Sequence, residues 1–150
     1  QDATQIICDI YSRYRFETMV FKNREQDFMH ADTLCGFMEK AQKESYGDGL
    51  DPEFLHPYMW VCKGHYYGPT FYNFPYAFGG LFARGLYAQY QQEGEAFVPK
   101  YKKLLYTTPV ASVEDTAKVA GIDLGDKNFW RSALQTIADQ IDLFCQLIGE

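Results

Sequence analysis

Helical spacing of apolar residues is the feature that most constrains this chain, and it recurs along most of the sequence. After Asp126, a suitable N-cap, seven apolar residues keep that spacing to the end: Trp130, Ala133, Leu134, Ile137, Ile141, Phe144 and Ile148. The same spacing predicts a long helix from Ile7 to Phe28 and a second from Asp32 to about Tyr46. Three shorter helices are predicted: one ending near Gln92, one from Pro99 to Leu105 and one from Glu114 to Ala120. Because no segment alternates convincingly with a period of two, we expect an all-α helical bundle.

Size and charge limit the domain count and the classes of partner. A chain of 150 residues, 47% of them hydrophobic, can bury one sizeable core, so we expect a single domain over residues 1–150. Fourteen basic and twenty acidic side chains leave a net charge of −6, which repels phosphate backbones and anionic lipid headgroups. We therefore expect neither nucleic acid nor a membrane as a partner.

The four cysteines, Cys8, Cys35, Cys62 and Cys145, form no CxxC pair, and each stands beside an apolar residue. This pattern is typical of small buried thiols in a reducing compartment, so we expect a cytoplasmic protein. The N-terminus shows no signal-peptide pattern, and it begins without Met on a helical pattern. We therefore expect a processed or truncated product of a longer chain.

Residues 54–90 differ in composition from the rest of the chain. They contain thirteen aromatic residues, two cations and no acid. Within them lies an uncharged run of 20 residues, 64–83, which is long enough to raise the question of a membrane span. Its two Pro, four Gly, four Tyr, one His and one Asn argue against that. We expect a loop that leads into a buried helix, with Pro75 in the first helical turn.

The residues that are candidates for catalysis or ligand binding are concentrated in the segment GHYYGPTFYNFPYAFG, residues 64–79. His65 can exchange a proton near neutral pH, and Tyr72 and Tyr76, four residues apart, project from one helical face as donors toward an oxyanion. Aromatic residues at helical spacing are more often core, and a single His beside Gly often only completes a loop. The remaining histidines, His30 and His56, are expected to cap or pack locally. No HExxH or Cys/His cluster occurs, so we expect no metal site within this chain.

Six stretches together resemble the C-terminal region of the oligoendopeptidase F family, which comprises zinc metallopeptidases similar to thimet oligopeptidase. They are YRFE (14–17), KESYGDGLD (43–51), HPYMW (56–60), KGHYY (63–67), FYNFPYAFGGLFARGLY (71–87) and AGIDLGDKNFW (120–130). The resemblance covers nearly the whole chain. Its most specific part is His65 followed by Tyr72 and Tyr76 at offsets of 7 and 11, with Pro75 between the tyrosines.

The resemblance implies that the chain is the C-terminal part of a larger, two-lobed, helical enzyme that cuts short peptides in a deep channel. In that family an HExxH helix and a later glutamate bind zinc, and the glutamate of the motif activates water. This sequence contains neither element, because both lie upstream of the region that it resembles. The resemblance therefore implies zinc in the full-length parent, and a fragment that binds no zinc and is inactive by itself.

The same resemblance assigns roles to particular residues. His65 would hydrogen-bond the bound peptide, and Tyr72, Tyr76 or both would stabilise the tetrahedral oxyanion opposite the metal. The neighbouring tyrosines would line the channel, and the glycines would shape a loop that adjusts to a peptide: Tyr66, Tyr67, Gly64 and Gly68.

Partners follow from the same interpretation. They would be an oligopeptide substrate and the rest of the parent chain, with self-association of the fragment through the apolar face left uncovered. An alternative is a stand-alone α-helical module that binds an apolar small molecule or a peptide through an aromatic cleft. A pure helical scaffold is a third reading, which a uniformly buried segment 54–90 would favour.

Overall fold

A computed structural model describes residues 2–149 and, from Ala3 onward, their side chains. Helices make up 76% of the structure, and no strand occurs within the described residues. The expected all-α helical bundle is therefore confirmed. No described helix is long and apolar enough to cross a membrane. The chain divides into two compact units, residues 1–78 and 79–150, and the interpretation as one domain stays a prediction.

Two long helices of the first unit follow the predicted pattern, and only the first of them stops earlier than predicted. In chain order they are α1 (Asp2–Thr4), a π-helical segment (Gln5–Asp9), α2 (Ile10–Asn23), α3 (Ala31–Tyr46), a 3₁₀ turn (Pro52–Phe54), α4 (Met59–Cys62) and a second 3₁₀ turn (Gly64–Tyr67). The helix expected to continue to Phe28 ends at Asn23 because residues 24–27 are polar or charged and offer no apolar side chain to bury. Phe28 itself is exposed.

The core of the first unit forms where α2 packs against α3. Phe16, Met38 and Ala41 are buried there, with Trp60 and other partly buried apolar residues around them. The helical spacing in each sequence places these side chains on the facing sides of the two helices.

Gln42 attaches the following loop to that core. Its side-chain amide donates to the carbonyl of His56 at 2.8 Å and accepts from the His56 N–H at 3.0 Å, which satisfies both backbone groups. His56 therefore acts through its backbone. His30 is the N-cap residue of α3, with its ring 5.0 Å from that of Phe28 and no side-chain cap hydrogen bond.

The helix α5 (Phe74–Glu93) begins in the first unit, and the second unit contains a 3₁₀ turn (Gly94–Phe97), α6 (Val98–Thr107), α7 (Val113–Val119) and α8 (Lys127–Ile148). As predicted, Pro75 lies in the first turn of α5. The helix was expected to be buried, but its buried residues are confined to its second half. The second core contains Leu86, Phe97, Leu104, Ala117, Ala120, Ile122 and Phe129.

The predicted N-cap of α8 is present, and the apolar stripe of that helix divides into two halves. Asp126 Oδ1 accepts from the Asn128 N–H at 2.9 Å. Ala133 and Ile137 are buried as the spacing predicts. Three later members of the stripe are exposed, Ile141, Phe144 and Ile148, because no described element covers them.

The cysteines are less buried than expected. All four are free; Cys8, Cys35 and Cys145 are partly buried, and Cys62 is exposed. Burial raises the pKa of the Cys8 thiol, which favours its protonated form. The prediction that Cys62 is a core residue is therefore wrong: it ends α4 at the surface.

Candidate functional site

The imidazole and the two phenols singled out in the sequence lie together in the first unit. His65 belongs to the 3₁₀ turn Gly64–Tyr67, Tyr72 to the turn that follows it, and Tyr76 to the first turn of α5. The ring centroid of His65 lies 5.0 Å from that of Tyr72 and 5.9 Å from that of Tyr76. The two tyrosine rings are 5.9 Å apart at 73°, so each ring contacts both others.

This three-ring cluster faces solvent. Tyr72 is 42% exposed and Tyr76 is 47% exposed, whereas His65 is partly buried. A hydrogen bond with Tyr72 raises the pKa of Tyr76 above its ordinary value. A protonated phenol at a surface is a hydrogen-bond donor available to a ligand.

Asn73 lies directly beneath the cluster and is fully buried. Its Oδ1 accepts from Arg13 Nη1 at 3.0 Å and lies 3.2 Å from His65 Nδ1. Its Nδ2 donates to Glu17 Oε2 at 3.4 Å. One asparagine thus connects the imidazole to two charged side chains of α2.

Those charged side chains are buried and mutually supported. Arg13 is 4% exposed and forms an ion pair with Asp9, four residues earlier on the same helical face. Glu17 is 5% exposed, and burial raises the pKa of its carboxyl, although hydrogen bonds from Asn73 and the Phe71 N–H act in the opposite direction. Through these hydrogen bonds, the side chains of α2 hold the loop that carries His65 in place.

The backbone of that loop is constrained at Phe71. This residue has a φ of 54°, a conformation that a bulky side chain rarely adopts. Its N–H donates to Glu17 Oε1 at 3.1 Å, and its ring centroid lies 5.5 Å from that of Tyr14 and 5.3 Å from that of Phe21. The hydrogen bond and the two ring contacts offset the local cost, so that Tyr72 and Asn73 emerge on opposite sides of the turn.

The other residues predicted to line a channel lie outside the three-ring cluster. The ring of Tyr66 packs edge-on against Phe16 at 5.0 Å, its hydroxyl is buried without a partner, and burial raises its pKa. Tyr66 is therefore a core residue. Tyr67 is exposed, and its hydroxyl donates to the Trp60 carbonyl at 3.0 Å, seven residues earlier.

The two loop glycines, Gly64 and Gly68, are exposed. A Cβ added at Gly64 or Gly68 would meet open space, and neither residue has a positive φ. Their small size leaves the approach to His65 open.

Within residues 3–149, no three His, Cys, Asp or Glu side chains lie close enough together to hold a metal ion. The polar groups in and around the cluster are one imidazole, two phenols, the Asn73 amide and the Glu17 carboxylate, which together fall short of the three or four His, Cys, Asp or Glu ligands of a zinc site. The described residues of this chain therefore do not fit a zinc ion by themselves.

A second candidate region lies in the second unit. A cavity of about 470 Å³ is lined by Ala83, Leu86, Tyr87, Tyr90, Phe97, Val98 and Tyr101. No charged side chain lines it, and four of the seven residues are aromatic. Its volume falls within the range of small-molecule sites.

Sequence reasoning found the three rings but missed their support, namely Arg13, Glu17 and Asn73. One signal was available, because Asn73 is a lone amide inside an aromatic run and Arg13 and Glu17 stand one helical turn apart. Only tertiary structure joins them, since 60 residues separate Arg13 from Asn73.

Comparison with protein-family models, curated proteins and solved structures finds no match for this chain.

Proposed function

We propose that this chain is the substrate-binding and oxyanion-stabilising part of a zinc metalloendopeptidase that hydrolyses short oligopeptides. The observation that supports the proposal is the contact of His65, Tyr72 and Tyr76 in one partly exposed cluster. A shared substrate requires an imidazole and two phenols to converge in this way.

Each ring has a distinct task in the proposed reaction. The phenols of Tyr72 and Tyr76 donate hydrogen bonds to the oxygen of the scissile carbonyl, and these bonds strengthen as the oxygen becomes negative in the transition state. His65 hydrogen-bonds the peptide backbone and sets its position against the phenols.

The proposal places this chain in a longer, two-lobed helical parent. Zinc held by the missing region would polarise the carbonyl and activate water when bound. The 150 residues are then a cytoplasmic fragment that is inactive alone, and their partners are an oligopeptide and the remainder of the parent.

The test is a kinetic comparison of Tyr76→Phe with the unchanged parent enzyme. Removing one oxyanion donor should lower kcat by roughly a hundredfold with little change in KM, because the lost interaction forms mainly in the transition state. Tyr106→Phe, at a tyrosine that is 82% exposed on α6, is the matched control and should leave both constants unchanged. Unchanged turnover in both Tyr72→Phe and Tyr76→Phe would remove the proposed role.

The cavity in the second unit favours the alternative, a module that binds a small apolar molecule through an aromatic cleft. Indole is a suitable probe because it stacks on aromatic rings and fits the volume. Ala83 is exposed at the cavity wall, so Ala83→Phe should fill the cavity without disturbing the core. Saturable indole binding that this variant abolishes would support the alternative; equal binding by both proteins would refute it.

A further inference from the structure

The buried contacts of Asn73 determine which way its side chain is oriented. A guanidinium can only donate, so the Asn73 atom 3.0 Å from Arg13 Nη1 must be the carbonyl oxygen. The opposite atom is then the amide nitrogen, and it faces Glu17 Oε2, which accepts at 3.4 Å. Both neighbours require the same orientation. A flipped amide would place its NH₂ against a cation and its oxygen against a carboxylate.

This orientation determines where His65 carries its proton. His65 Nδ1 lies 3.2 Å from the same Asn73 oxygen, and two acceptors cannot share a hydrogen bond. Nδ1 must therefore be the protonated nitrogen. In the neutral imidazole only one nitrogen carries a proton, so Nε2 is left as an acceptor with a free lone pair.

We infer that Asn73 is a positioning residue that holds His65 in the Nδ1–H tautomer, so that Nε2 accepts a hydrogen bond from an N–H group of the ligand. The phenol rings of Tyr72 and Tyr76, which carry O–H donors, lie 5.0 Å and 5.9 Å from the imidazole ring, measured between centroids. A ligand that matches this arrangement carries an N–H and a carbonyl at adjacent positions, which is the pattern of a secondary amide. The choice of a peptide as that amide rests on the proposed function, whereas the tautomer does not.

The tautomer can be measured directly on the 150-residue chain. Labelling with ¹⁵N-histidine and recording long-range ¹H–¹⁵N spectra, at a pH where imidazole is neutral, distinguishes a protonated from a bare ring nitrogen. His30→Gln and His56→Gln assign the signals of the other two histidines, which are exposed. We expect the Nδ1–H form for His65. An Nε2–H form in the unchanged protein overturns the inference, and this result requires no variant to fold.

Asn73→Leu then tests whether the asparagine is the cause. It keeps the approximate size of the side chain but removes the acceptor, so His65 should shift toward the Nε2–H form or a mixture of tautomers. Asn128→Leu, an exposed asparagine in the first turn of α8, is the control and should leave the His65 signals unchanged. A folded Asn73→Leu protein with His65 still fully in the Nδ1–H form contradicts the positioning role.

The ligand assignment is tested with the capped peptide acetyl-Ala-Ala-Ala-amide and with ester analogues in which one N–H at a time is replaced by oxygen. The peptide should perturb the His65 Nε2 signal, and one analogue should bind about fivefold more weakly, the equivalent of about 1 kcal/mol. Equal affinity for every analogue, or no effect on Nε2, overturns the assignment. An Nε2–H tautomer together with a large Tyr76→Phe defect would refute this inference alone and leave the proposed function in place.

Discussion

Glu17 stabilises a turn through its hydrogen bonds, although its burial disfavours the charged carboxylate. Its two carboxylate oxygens accept from the Phe71 N–H and from Asn73 Nδ2, which stabilises the turn before α5. Burial nevertheless disfavours the charged form, and it is the largest influence on the raised pKa of this carboxyl. The turn is therefore held by a charge that water would solvate better.

The pH dependence of stability should report this conflict. The pKa of Glu17 is raised in the folded protein, so the protonated carboxyl contributes to the free energy of unfolding. That contribution is fully present at pH values below the ordinary pKa of 4.5, and it is lost as the pH rises through the pKa of the folded protein. Gln at this position cannot titrate. The free energy of unfolding of the unchanged protein, minus that of Glu17→Gln, should therefore fall as the pH is raised from about 4 to about 7. Urea unfolding at several pH values measures it. A difference that rises with pH would contradict the assignment.

At the scale of elements, α5 and α8 approach each other through a glycine. A Cβ added at Gly85 would overlap the ring of Phe129, so this position allows an aromatic ring of α8 to lie directly on the backbone of α5. Phe129 also contacts the rings of Phe82 and Trp130, with centroids 5.7 Å and 5.0 Å away. Phe129, which lies against Gly85, is therefore the central ring of these aromatic contacts in the second core.

Gly85→Ala should destabilise the protein by about 1–3 kcal/mol, because the overlap costs more than the helix propensity that alanine gains. Gly79→Ala is the matched control on the same helix: a Cβ there meets open space, so that variant should be neutral or more stable by up to about 1 kcal/mol. Chemical denaturation compares the two. A Gly85→Ala protein as stable as Gly79→Ala would show that the Phe129 ring moves away freely.

For the molecule as a whole, the second half of α8 is an exposed apolar surface. Ile141, Leu143, Phe144, Leu147 and Ile148 are each more than half exposed. Several of them continue the helical stripe in which Ala133 and Ile137 are buried. Such a surface favours association, either with another part of a longer chain or with a second copy.

We expect the isolated chain to self-associate through this part of α8. Static light scattering should give a mass that rises with protein concentration, and Phe144→Ser with Leu147→Gln should lower it toward that of a monomer. Tyr106→Gln, an equally exposed change on α6, should leave association unchanged. A monomer of constant mass at high concentration would count against the predicted uncovered face.

The all-helical class, the N-cap at Asp126 and the place of Pro75 in the first turn of α5 were determined by sequence alone, since each depends on residues within a few positions of one another. The proximity of Tyr72 to Tyr76 is likewise local. Tertiary structure decided which half of each apolar stripe is covered, because burial depends on a partner element. It also decided the environment of His65: Arg13 and Glu17 lie more than 50 residues away from Asn73 in sequence, and only the fold of α2 against the loop joins their hydrogen bonds.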